Sequence, residues 1–232
     1  MVAKGSGTRS KESVRKATPS RPGGEPQAEP PLSLERIVAT AIDLLDAEGV
    51  DGLKMRRLAD RLGAGAMSLY WHVENKEAVF DLVLDAVFDC RGISEVDEAR
   101  GWRPEVVHML EDWRAVMLRH PWSAALLPRR ALGPNILGRL ERLGKALSKA
   151  GVPEAELNAA IWSLWNYVLG ATITRASFDL SAADMAVGQQ RLSRLSEHYP
   201  TIERSRLLLD SDWDGTFRKG LDFLLDGLAL KR

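Results

Sequence analysis

Between Lys54 and Lys76 the apolar residues fall into two short helical sets separated by a pair of glycines, and that spacing constrains the fold more than any other stretch. Met55, Leu58, Ala59 and Leu62 stand at i, i+3, i+4 and i+7, one apolar stripe on a helix. Gly63 follows where a helix end favours a residue tolerant of positive φ. After Ala64 and Gly65 the spacing predicts a second helix from Ala66 to about Val73, with Leu69 and Val73 facing inward. Two helices joined by a glycine-bearing turn form a helix-turn-helix, whose second helix enters the DNA major groove. An ordinary helical hairpin would carry the same spacing. The content of the second helix separates the two readings. Ser68, Tyr70, Trp71 and His72 crowd the face that does not pack, where a solvated helix would carry Lys and Glu.

The run Leu58-Ala59-Asp60-Arg61-Leu62-Gly63, followed by Ser68-Leu69-Tyr70-Trp71-His72-Val73-Glu74-Asn75-Lys76-Glu77, resembles the DNA-binding head of the tetracycline-repressor (TetR) family of bacterial transcription regulators. The resemblance covers residues 33–90. Beyond them the helical layout and a loose C-terminal pattern agree with it. It implies a head joined through one helix to a larger helical body that dimerises and often binds an inducer.

No segment shows sustained period-two alternation, so the chain is read as all-α. Residues 1–31 are poor in apolar side chains and rich in Gly, Pro, Ser and Thr, the composition of a disordered tail. Within its first sixteen positions Lys4, Arg9, Lys11, Arg15 and Lys16 stand against Glu12 alone, a solvated basic segment or an arm that attracts phosphates. Residues 32–80 are assigned to the DNA-binding domain and 81–232 to the regulatory and dimerisation domain, with a helix over 76–90 bridging them. Ser33 and Asn75 are N-cap candidates for the first and fourth helices. Val79, Leu82, Val83, Ala86 and Val87 form the expected inward stripe of the fourth, which should end near Cys90. Further helices are expected from Pro104 to Arg119, Asn135 to Ala150, Pro153 to Phe178, around Met185–Glu197, and from Trp213 to Leu230.

Net charge is zero, with 32 basic and 32 acidic residues, so DNA attraction must come from local placement. Ala66, Met67 and Ser68 are expected at base edges, because a recognition helix presents its N-terminal end to the groove. Ser68 can donate or accept; Ala66 and Met67 offer apolar contact to thymine methyls. Tyr70 and His72 suit phosphate oxygens, and Arg56 a base or a phosphate. Lys76 opens the fourth helix, where its charge and free backbone N–H groups both favour phosphate. Trp71 fits either a sugar–phosphate contact or the head's own core.

The helix from Glu154 to Phe178 is apolar nearly all round. Leu157, Ile161, Leu164, Val168 and Ala171 form one stripe, and Trp162, Trp165, Leu169 and Ile173 lie away from it. With Gly170 leaving room for close approach, this reads as half of a four-helix dimer interface or as a core helix of one subunit. Trp113, Met117, Trp122, Trp162 and Trp165, with Asn166 and Thr172 as polar contacts, form a candidate ligand site, although core packing would use the same residues. In the family's founding repressor a His and an acid of the body hold a magnesium–drug chelate. Here Gly170–Arg175 offers Thr174 and Arg175 in place of the acid, and Trp122–Pro134 contains no His, so tetracycline is not the expected ligand.

His108 and His120 lack a third ligand at metal spacing, and no nucleophile–base or Walker signature is present, so neither a metal nor a cofactor is expected. Cys90 is the lone cysteine, which fits a reducing cytoplasm, and no apolar run reaches the ~20 residues that cross a membrane. The expected partners are an operator in double-stranded DNA, a second copy of the chain and a small-molecule effector. The alternatives are an enzyme with a vestigial head and a regulator without a ligand.

Overall fold

The computed structural model describes residues 1–2, 31–89, 101–130, 132–178, 181–205 and 212–229. The chain divides into two units, Met1–Pro31 and Leu32–Arg232, and every helix among the described residues belongs to the second. The basic tail segment, Cys90 and the expected loop after it lie outside the described residues.

The described residues form eleven α-helices and no strand. The first four are α1 (Leu34–Gly52), α2 (Met55–Arg61), α3 (Ala66–Tyr70) and α4 (Lys76–Val87). Ser33 caps α1, its Oγ accepting from Arg36 N at 3.3 Å, and Gly49 breaks that helix with φ 68°. Asn75 caps α4, its Oδ1 accepting from Ala78 N at 2.8 Å. Helix α1 packs against α2 and α4, and α2 against α3. The buried side chains between them include Ile37, Leu44, Leu53, Leu58, Leu69 and Val79.

The body contains α5 (Trp102–Arg119), α6 (Pro121–Leu126) with a short 3-10 turn after it, α7 (Pro134–Lys149) and α8 (Glu154–Ser177). Helices α9 (Ala182–Arg194), α10 (Pro200–Ser205) and α11 (Trp213–Ala229) complete it. Helix α5 is the hub, touching α6, α7, α8 and α11. Its side chains Val106, Leu110, Trp113 and Met117 are buried, as are Leu164 and Val168 of α8 and Phe217, Leu221 and Leu225 of α11. Hydrophobic burial on this scale, at about 25 cal/mol per Å² of apolar surface, is what holds a helical domain together.

Four elements depart from the sequence expectation, the first being α6, which stands between Arg119 and Asn135 where no helix is expected. Helix α3 is five residues long, so Trp71 and His72 lie in the turn after it, although Leu69 and Val73 do face inward. Helix α4 ends at Val87, and its buried set is Val79, Phe80, Val83 and Leu84, with Phe88 just beyond; Leu82, Ala86 and Val87 are only half-buried. The reason is that α4 is gripped on several sides, by α1 in the head and by α6 and α7 in the body. Helix α10 has no counterpart in the sequence expectation; it buries no residue, so it carries no hydrophobic stripe for a sequence to reveal.

Candidate nucleic-acid interface

The turn between α2 and α3 is built by a Schellman motif. Ala64 N donates to Ala59 O at 3.0 Å and Gly63 N to Asp60 O at 3.2 Å, with Gly63 at φ 65°. A side chain at position 63 would strain that backbone, which is why the glycine stands there. Gly65 then opens α3, its carbonyl accepting from Ser68 N at 2.9 Å. Leu69 and Val73 anchor the short helix in the head's core.

Everything else on that helix and the following turn faces out. Ala66, Met67, Ser68, Tyr70, Trp71 and His72 are all exposed, Met67 at 74% and Trp71 at 86%. Trp71 is therefore not part of the head's core. Large apolar side chains left in water on a rigid helix mark a contact surface. Arg56 is exposed at the start of α2. Its neighbour Arg57 is turned back to Glu48 of α1. Lys76 is half-buried at the first position of α4, its Nζ 5.1 Å from the ring centroid of Phe80, one turn further along that helix.

The head is tied to the body by a set of polar clamps that have no local sequence signal. Asp46 of α1 accepts from Trp122 Nε1 at 2.6 Å and contacts His120 Nδ1 at 2.8 Å. Arg130 Nε donates to Asp81 of α4 at 2.8 Å, and its guanidinium also reaches Glu77 O. Asp85 of α4 caps α7, accepting from Asn135 N at 2.8 Å; a Cβ at Gly133 would come within 2.3 Å of Asp85 Oδ1. Arg139 of α7, 5% exposed, donates to Phe88 O at 2.6 Å, Asp89 O at 3.1 Å and Asp112 Oδ2 at 2.6 Å. The partners stand some 27 to 76 positions apart in the chain, beyond the reach of any motif.

The six expected ligand residues are not brought together. Trp113 and Met117 are buried, and Trp165 meets Trp113 edge to face with centroids 5.3 Å apart. Trp122 gives its indole N–H to Asp46 at the head–body junction. Trp162, 55% exposed, and Asn166, also exposed, lie on the outer side of α8, so the helical spacing that grouped them with Trp165 misplaced them. Thr172 is buried with its hydroxyl returned to Val168 O at 2.7 Å. Trp113 Nε1 and Ser123 Oγ are buried with no hydrogen-bond partner among the described residues. An open groove of about 1310 Å³ runs between α7 and α8, lined by Leu137, Leu140, Leu157 and Ile161 among others, and contains none of the tryptophans.

The outer side of α8 carries Trp162, Asn166, Gly170 and Ile173, all exposed, at helical spacing. Phe223, 65% exposed, and Gly227 lie on an exposed side of α11. A Cβ at Gly170 or at Gly227 would meet nothing within 4 Å among the described residues. Among the described residues no group of three or more His, Cys, Asp or Glu side chains is placed to hold a metal, and no helix is long and apolar enough to cross a membrane.

Known proteins place this architecture. Residues 37–83 match the family described as bacterial regulatory proteins, tetR family, and residues 95–232 match the tetracyclin repressor-like C-terminal domain. The chain is 37% identical to an HTH-type transcriptional regulator of Saccharopolyspora erythraea, over 95% of this chain and 96% of that one. It is 36% identical to the HTH-type transcriptional repressor DrrR1 of Streptomyces coeruleorubidus, over 92% and 82% of the two chains. The apo structure of ActR, from Streptomyces coelicolor, superposes with a TM-score of 0.78 at 31% identity, covering 88% of this chain and 97% of ActR. ActR bound to actinorhodin superposes with a TM-score of 0.71 at 30% identity, covering 85% and 95%.

Proposed function

The chain belongs to the tetracycline-repressor family of bacterial transcription regulators, and from that premise we propose that it is a repressor that binds a palindromic operator as a homodimer and leaves it when a small molecule occupies the body. The observation that carries the DNA-binding reading is the short helix α3, pinned by Leu69 and Val73 while Met67, Ser68, Tyr70 and Trp71 stand in solvent. Residues 32–80 are the DNA-binding unit and 81–232 the regulatory and dimerisation unit, with the helix at their junction bridging the two. Two-fold symmetry in the protein mirrors that of the operator, with half-site centres about 34–36 Å or a multiple apart.

Ala66, Met67 and Ser68 meet base edges; Tyr70, His72 and Lys76 bond phosphates; Arg56 serves either a base or a phosphate; Trp71 packs on the sugar–phosphate backbone. Dimerisation uses the exposed sides of α8 and α11, where Trp162, Gly170, Ile173 and Phe223 are apolar or small and uncovered. The effector binds beside Trp113, Met117 and Trp165. The orphaned Trp113 Nε1 and Ser123 Oγ support this placement, since buried polar atoms without partners are rare and costly. Any shift of α6 or α7 around an effector passes to α4 and the head through the Asp46, Asp81, Asp85 and Arg139 clamps. Coupling free energies of this kind are typically about 1–3 kcal/mol. Relatives are named as transcriptional regulators and repressors, which favours this reading over an enzyme with a vestigial head. ActR has been solved with actinorhodin bound, which favours it over a regulator without a ligand. Such a regulator works in the cytoplasm, where its DNA lies.

The test is to select bound sequences from random DNA and then screen small molecules for release from the selected operator. The expected result is an inverted repeat and at least one releasing compound. Recovery of no enriched sequence overturns the DNA-binding reading. Enrichment of a single non-repeated site overturns the dimeric one.

A further inference from the structure

A second concavity lies where α5, α8 and α11 meet. It is a cleft of about 210 Å³, lined chiefly by Arg114, Tyr167, Thr174, Trp213, Thr216 and Phe217. Its volume equals roughly seven water molecules at the ~30 Å³ that each occupies in the liquid. That is below the ~300–1,000 Å³ of drug-sized pockets, and leaves room for a single ring bearing one acid group.

Arg114 gives the cleft its charge. The residue is 9% exposed, and among the described residues its guanidinium makes one hydrogen bond, from Nη1 to Asp214 Oδ1 at 2.7 Å. Its Nε is buried with no partner among the described residues. A guanidinium binds carboxylates through pairs of parallel N–H groups, and the edge formed by Nε and Nη2 is one such pair. Because Asp214 uses the third nitrogen, a carboxylate can take that edge without displacing it. An unpaired buried donor is costly, so an acceptor placed there recovers that cost. Asp214 itself is an exposed acid, and its carboxyl is held below the usual carboxylate range by the hydrogen bond from Arg114. Arg175 adds positive charge nearby, its Cζ 5.7 Å from the Trp213 ring centroid.

The other walls are aromatic. The Phe217 ring centroid is 4.7 Å from Arg114 Cζ, and Tyr167 stacks on Phe217 with centroids 5.3 Å apart and planes 16° from parallel. Tyr167 is kept neutral, as burial raises its phenol above the ordinary value, and its hydroxyl donates to Phe217 O at 2.8 Å. Thr174 and Thr216 are exposed and bring hydroxyls to the rim. A planar fork among aromatic faces suits a flat anion better than a tetrahedral one. We propose that this cleft binds a small aromatic carboxylate, gripped by the Nε–Nη2 edge of Arg114 and packed among Tyr167, Trp213 and Phe217. The cleft's lining includes none of Trp113, Met117 and Trp165, and its occupancy can be read without DNA.

The experiment is calorimetric titration of the full chain with benzoate, with neutral benzamide as the isosteric control. Saturable benzoate binding is expected, at least tenfold tighter than benzamide. Arg114→Lys keeps the charge and loses the fork, so benzoate should weaken at least tenfold. Asp214→Asn removes a neighbouring negative charge at an exposed position and should tighten benzoate a few-fold. If Arg114→Lys fails to fold, judged by near-ultraviolet circular dichroism, benzamide and Asp214→Asn decide the matter. Absence of saturable benzoate binding at millimolar concentration overturns the proposal. So does binding that benzamide matches, or that Asp214→Asn leaves unchanged or weakens. Because no DNA is present, a failure here leaves the repressor reading standing, and a failure of that reading leaves this result intact.

Discussion

Ser68 stands exposed near the start of α3, one residue before the buried Leu69, so its hydroxyl is free for a base while its backbone is fixed. Ser68→Ala should cost about 1–3 kcal/mol at one base-pair position per half-site and leave affinity for random DNA intact. Competition titrations with single-position operator variants read this directly; an equal loss on every sequence would reassign Ser68 to a phosphate. Tyr70→Ala and Lys76→Ala should do the opposite and weaken all DNA alike. For Lys76→Ala the slope of log affinity against log salt should also flatten by about one charge. An unaltered slope would mean that Lys76 serves the Phe80 ring rather than the DNA. Trp71, being almost wholly in water, contributes nothing to folding through burial, so its removal should be seen only in DNA binding.

Helix α4 is the element on which head and body meet, and its polar contacts are placed at successive turns facing the body. Asp81, Asp85 and the carbonyl of Phe88 bind Arg130, the start of α7, and Arg139 in turn. A carboxylate at a helix N-terminus satisfies free N–H groups and meets the positive end of the dipole. Asp85→Ala should therefore destabilise the protein by about 1–2 kcal/mol, measured as a lower urea midpoint. Arg139→Met should cost more, about 3 kcal/mol, because it strips a nearly buried cation from two backbone carbonyls and Asp112. If α4 carries the signal from the body, both variants should also change the effector concentration needed for operator release. Release curves identical to wild type after correction for stability would place the coupling elsewhere.

At the scale of the molecule, α8 is buried on one side by α5, α6, α7 and α11 and bare on the other. Trp162, Gly170 and Ile173 on the bare side leave apolar surface that a lone subunit gains nothing from exposing. Among the described residues none comes within 4 Å of a Cβ placed at Gly170, so a side chain can leave that position without disturbing their packing. Gly170→Glu should thus yield a folded monomer. A buried unpaired charge at the interface is intolerable, and the side chain also blocks close helix approach. With one head per particle, operator affinity should fall towards the non-specific level. Sedimentation and operator titration of this variant check both statements. A dimer with full operator affinity would show that the interface lies away from this face.

The chain by itself determined what depends on near neighbours. Ser33 and Asn75 as caps, the positive-φ Gly63, and the inward Leu69 and Val73 all follow from side-chain chemistry and helical spacing within a few residues. So does the outward face of the second helix, since residues that neither pack nor resemble a solvated surface stand out in sequence. Tertiary structure alone decided what depends on distance along the chain. A hydrogen bond such as Trp122 to Asp46 carries no periodicity, so the tie it makes between body and head is invisible in the sequence. Trp162 and Trp165 are three residues apart on one apolar helix, and only the packing of α5 against α8 separates the exposed ring from the one that meets Trp113. Helical spacing orders residues around an axis, but which sector of that axis faces the core is fixed by the helices that pack against it.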